Sequence, residues 1–120
     1  MHDKDAFIDF LLDQLRCIDG VRVRAMFGGH GLYARDVFFA VVASGRVYFK
    51  TNEETRAPYE AAGMGPFKAS AEMTLKNYFE VPVDVLEDDE QLAAWARESI
   101  RVGSESAGRP RQRRPSPKKR

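Results

Sequence analysis

The chain has 120 residues, with 19 Lys and Arg against 18 Asp and Glu, 43% apolar residues and one cysteine. That length suits one domain around a single small core. No run approaches the ~18 consecutive apolar residues of a membrane-spanning helix, and no signal-peptide pattern opens the chain, so a soluble cytoplasmic protein with no membrane partner is expected. Cys17 alone makes no internal disulfide, and His2 and His30 do not complete a zinc site with it. Neither a metal nor a cofactor is therefore expected.

The near-neutral total hides an asymmetry. Arg109, Arg111, Arg113, Arg114, Lys118, Lys119 and Arg120 put seven basic residues and no acidic one in the last twelve positions, leaving 12 basic and 18 acidic residues before them, a net of −6. An acidic body with a basic tail raises nucleic acid or an acidic partner as something the tail binds.

In chain order, Phe7, Ile8, Leu11, Leu12, Leu15 and Ile18 fall at helical spacing, with Asp3 or Asp5 to start the helix and Asp19-Gly20 to stop it. Val21, Val23, Ala25 and Phe27 then alternate with Arg22, Arg24 and Met26 as a strand with one buried face. Gly28-Gly29-His30-Gly31 interrupts the alternation, which Leu32-Tyr33-Ala34 resumes, so a bulge is expected at the glycines. Val37–Ala43 and Val47–Thr51 follow across the turns Arg35-Asp36 and Ser44-Gly45, giving a meander of three antiparallel strands.

Thr51 and Glu54 have capping-box spacing, although Pro58 conflicts with a helix starting that early, and a short helix from Tyr59 to Ala62 is expected to end at Gly63. Pro66-Phe67-Lys68 and Lys76–Val81 read as two more strands. A last helix starts near Asp88, with Gln91 three residues on, carries Leu92, Trp95, Ala96 and Ile100 on one face, and is expected to close at Gly103. From Ser104 to Arg120 too little apolar surface remains to offset ordering, so a disordered basic tail is expected. The order α-β-β-β-α-β-β-α is that of an α+β domain of two layers, its helices on one face of an antiparallel sheet.

No constellation of catalytic residues stands out. The glycine run lacks both the Gly-Lys-Ser/Thr and the following helix of a phosphate loop, and His30 has no partner at metal-ligand or catalytic spacing. Cys17 reads as a core or half-buried thiol and Trp95 as core; Glu87-Asp88-Asp89-Glu90 reads as helix capping, since it lacks the interleaved ligands of a calcium loop. Tyr33, Phe38, Tyr48 and Tyr78 can share an open sheet face with Arg22, Arg24 and Lys50, an arrangement similar to the stacking platforms of single-strand RNA readers. In the tail, Ser116-Pro117-Lys118-Lys119 resembles the elements by which linker histones lie in a DNA minor groove.

Arg24-Ala25-Met26-Phe27-Gly28-Gly29-His30-Gly31-Leu32-Tyr33 resembles the hallmark of the TfoX/Sxy N-terminal domain, and Val47-Tyr48-Phe49-Lys50, Gly63 with Pro66-Phe67, Tyr78 with Val81-Pro82, and Leu92 with Trp95 follow in that family's order. The resemblance covers about residues 5 to 103. It implies a two-layer α/β domain with an antiparallel sheet, and a link to bacterial regulators of natural competence that help a cyclic-AMP receptor protein activate transcription. A stand-alone N-terminal domain, without the family's second, C-terminal domain, is expected.

The expected function is a non-enzymatic regulatory module that binds a protein partner, either transcription machinery or a cyclic-AMP receptor protein-like regulator. Its basic tail adds non-specific contact with DNA. The motif residues Arg24, Met26, Phe27, Gly28, Gly29, His30, Gly31 and Tyr33 are then structural or partner-binding. Two alternatives stand beside this reading: a small-ligand or enzyme-like domain using the Gly28–Gly31 region with Arg24, His30 and Tyr33, and a single-strand RNA reader using the sheet face.

Overall fold

The computed structural model describes residues 3–26 and 28–112, with side chains described from 6 to 26 and from 28 to 106. Helix α1, Asp3–Gln14, turns Ile8 and Leu11 inward, and Leu15 just beyond it is equally buried, as the spacing predicts. Gly20, at φ +76°, redirects the chain into β1, Val21–Met26.

The glycine run is where expectation and structure part. Met26 pairs with Gly29, Gly28 before it takes φ +73°, and the glycines continue directly into β2, Gly29–Ala34. The bulge lies further on: Leu32 pairs with Ala40 and Tyr33 with Phe38 of β3, Val37–Ala43, so the register steps past Phe39. That step turns both Phe39 and Ala40 into the core. With β4, Arg46–Lys50, the meander therefore has four strands where three were expected.

Asn52, not Thr51, caps the next turn. Its Oδ1 accepts the N–H groups of Glu54 and Thr55, both at 2.9 Å. Thr51 is buried and its hydroxyl donates to the Asn77 carbonyl at 3.0 Å. Helix α2, Ala57–Ala61, ends as expected at Gly63, φ +80°. The remaining strands are β5, Pro66–Lys68, and β6, Thr74–Glu80. The sheet is antiparallel throughout, in the order β1-β2-β3-β4-β6-β5, with β1 and β5 at its edges. Pro82 caps a four-residue helix, α3, Val83–Leu86, too short to leave a periodic signal in sequence.

Helix α4, Asp89–Gln112, is the longest element and corrects a second expectation. Gly103 does not end it. A Cβ there would stand 2.9 Å from the Phe38 carbonyl oxygen and 3.0 Å from Val37 Cγ1, so the glycine lets the helix run close over β3. The boundary expected at residue 103 thus falls inside a helix, and 104–112 are helical instead of disordered; residues 113–120 lie outside those described.

The start of α4 is as expected. Asp88 Oδ1 accepts the Glu90 and Gln91 N–H groups, while the Gln91 amide donates back to Oδ2 at 3.2 Å. These bonds, the Gln91 side chain's first, hold the Asp88 carboxyl below its ordinary value. A lowered folded-state value means that the cap's contribution is full above the ordinary carboxylate range and fades as pH falls through the lowered value. Asp88→Ala is expected to lower the thermal midpoint by a few degrees at neutral pH and to bring the two proteins together in acid, a comparison made by circular dichroism melts.

One apolar cluster joins the two layers. Ile8, Leu11, Tyr59, Val85, Leu92 and Ala96, from all four helices, meet Leu32, Phe39, Ala40, Val42, Val47, Phe49 and Phe79 of the sheet. The alternate residues of those strands, Tyr33, Phe38, Val41, Tyr48, Lys50 and Tyr78, face the other way. The fold is the expected α+β sandwich of one sheet and one helical layer.

Candidate functional site

The motif from Arg24 to Tyr33 is the hairpin β1–β2. Each glycine in it answers a steric demand. Gly28 supplies the positive φ of the turn. A Cβ on Gly29 would run into the carbonyl oxygen of Val42 on the neighbouring strand. On Gly31 it would stand 2.7 Å from Met26 Cε and 2.8 Å from Phe38 Cε1, so Met26 and Phe38 close over the bare backbone between them. The motif is first of all a packing device, although not the bulge its glycines suggested.

The recess that Gly29 and His30 share with Phe7, Val42, Ala43, Ser44 and Gly45 measures about 10 Å³, room for no more than one water. Phe27 lies outside the described residues.

Arg24 and Tyr33 instead belong to the open face of the sheet. The Tyr33 and Phe38 ring centroids are 5.2 Å apart and those of Phe38 and Tyr78 5.5 Å. Tyr48 packs on Phe67 at 4.8 Å. The Arg24 guanidinium lies 5.9 Å from the Tyr33 centroid and the Lys50 ammonium 5.1 Å from that of Tyr78. Arg22, also on this face, pairs with Asp36 at 3.5 Å, and Arg46 with Glu80 at 3.2 Å. Burial pushes the Tyr78 hydroxyl up to about 12, with Tyr33 adding to the effect, and lowers Lys50. At neutral pH Tyr78 is thus a neutral hydrogen-bonding group. The four aromatic and three basic residues expected to share this face do share it.

A second feature was not legible in sequence. Between α2 and α4 opens a cleft of about 320 Å³, walled by Pro58, Tyr59 and Trp95 and edged by Glu54, Lys50 and Glu98. Trp95, expected as core, is half-buried and meets Tyr59 edge-on at 4.6 Å. Ser99, buried along its lining, donates its hydroxyl to the Lys50 carbonyl at 2.7 Å, and burial holds the Tyr59 proton far more tightly than usual. A short helix and a long one, distant in sequence, build this cleft, so no local pattern announces it.

Cys17 is exposed, against expectation, because the helix ends at Gln14 and the chain carries residue 17 off the packed face; Arg97 Nη2 donates to its sulfur at 3.6 Å. Among the described residues no group of three or more His, Cys, Asp or Glu is placed to hold a metal ion, and no helix is long and apolar enough to cross a membrane. Of the basic run, Arg109 and Arg111 fall on the last turns of α4, and Arg113, Arg114, Lys118, Lys119 and Arg120 lie outside the described residues.

Comparison with known proteins agrees with the resemblance read from the motif. The family model for the TfoX N-terminal domain matches residues 13–102. Over 60 residues the chain is 40% identical to the DNA transformation protein TfoX1 of Aliivibrio fischeri, a stretch amounting to 48% of this chain and 29% of that protein. The similarity therefore spans under a third of the relative's length.

Proposed function

Since the chain belongs to the TfoX N-terminal domain family, we propose that it is a regulatory module of the competence type, acting through a protein partner of the transcription machinery and through DNA. The relative's role in DNA transformation supports the process. A cyclic-AMP receptor protein-like regulator is the partner class that the family resemblance implies. The observation that carries a binding role over a catalytic one is the hairpin. Its glycines are consumed in packing and its recess is water-sized, whereas Arg24 stands on the surface. β1 is also an edge strand six residues long, the element to which an extended segment of a partner adds most readily.

The DNA contact is assigned to the basic residues from Arg109 to Arg120. If that run neutralises about four to six phosphates, log affinity for a labelled duplex falls with log salt at a slope of about −4 to −5. Changing all seven basic residues to glutamine is expected to abolish the steep dependence. A slope unchanged by those substitutions, or no duplex binding at low salt, removes the DNA part of the reading.

A further inference from the structure

We propose that the open face of the sheet is a docking platform for single-stranded nucleic acid, two or three bases lying along Tyr33, Phe38 and Tyr78 with Arg24 and Lys50 on the flanking phosphates. This goes beyond the regulatory reading and does not depend on it.

The first support is the aromatic row itself. Three half-buried rings succeed one another at 5.2 and 5.5 Å with tilts of 38° and 39°. Such a row, on the sheet face opposite the helical core, matches what splayed bases stack upon, two or three at a time. Val41, on the same face and paired with Gly31 and Tyr48, is only 1% exposed, so this face carries apolar packing as well as the rings.

The second support is charge. The body up to residue 108 carries a net −6, yet this face is positive. Its acidic groups, Glu80 and the neighbouring Asp36, are each already paired with an arginine. Arg24 and Lys50 make no ion pair among the described residues; each lies instead over an aromatic ring of the row. A cation–π contact whose cation keeps part of its solvent can be exchanged for a phosphate. Lys50, already stripped of part of its water by burial, gains most from that exchange. Two uncommitted cations at the two ends of an aromatic row, on a domain otherwise acidic, fit a polyanion with flat bases better than an acidic protein surface.

Fluorescence anisotropy with the full chain tests this. The probes are one labelled mixed-sequence decamer as RNA, the same sequence as single-stranded DNA, and its duplex, all at physiological salt. Single strands of one or both kinds are expected to bind more tightly than the duplex. Tyr33→Ala or Tyr78→Ala is expected to weaken them by about 5- to 100-fold, the loss of one stacked base. Arg24→Gln with Lys50→Gln keeps the ring packing, so it tests the site even where an alanine variant unfolds; it is expected to weaken binding and flatten its salt dependence. RNA tighter than DNA assigns a contact to the 2′-hydroxyl, and equal affinities assign recognition to bases and phosphates alone; both support the platform. Binding equal for duplex and single strands and indifferent to the Arg24 and Lys50 substitutions belongs to the basic run and overturns the proposal, as does the absence of binding.

Discussion

Gly29→Ala is expected to cost more stability than any other single-methyl addition to the hairpin, at or beyond the upper end of the ~1–3 kcal/mol that overpacking usually costs. The new methyl would meet the backbone carbonyl of Val42. A side chain could rotate away from such a collision, but a carbonyl within the β2–β3 ladder moves only if the strands part. Two neighbours calibrate the result. At Gly31 the added carbon meets the flexible end of Met26 along with Phe38, so part of the clash relaxes. At Gly45 nothing lies within 4 Å and only the φ of +72° opposes a side chain, worth about 1–2 kcal/mol. Urea denaturation of the three alanine variants is expected to rank them with Gly29 worst. A Gly29 variant as stable as the parent would mean that the motif's glycines serve something other than packing.

Phe49→Ala is expected to cost about 3–5 kcal/mol, against a total of roughly 5–15 kcal/mol for a domain of this kind. Phe49 is fully buried on the central strand β4, pairs in register with Ala40 and Phe79, and meets the Phe39 ring at 5.8 Å. Its removal leaves a hole bordered by three strands and the underside of α4, none of which can collapse alone. The denaturation midpoint should fall with the urea m-value unchanged. A loss below 1 kcal/mol would place the centre of the core elsewhere.

What was readable from sequence depended on whether the information was local. The stripes of α1 and α4 and the Asp88–Gln91 cap declare themselves, because each is settled by residues three or four apart. The open face was also legible, since Tyr33, Tyr48 and Tyr78 keep their place in the alternation. Phe38 joins them only because the register steps past Phe39. The glycines were misread for a common reason: without a side chain, a glycine shows no periodicity and resembles an interruption. Gly29 and Gly103 are in fact positions where another backbone comes close, to Val42 and to Phe38 respectively. That demand comes from a distant strand and has no local signature. Cys17 and the Tyr59–Trp95 cleft were hidden similarly, one by where a helix stops and the other by which elements meet.

The competence reading is tested most directly in the organism that encodes this chain. With the gene deleted, transformation by purified DNA is measured against the parent and against the deletion strain supplied with the full chain. The account predicts that transformation falls to the level of a strain unable to take up DNA, that the full chain restores it, and that transcripts of the uptake genes fall and recover in step. Transformation and transcripts unchanged by the deletion would contradict it.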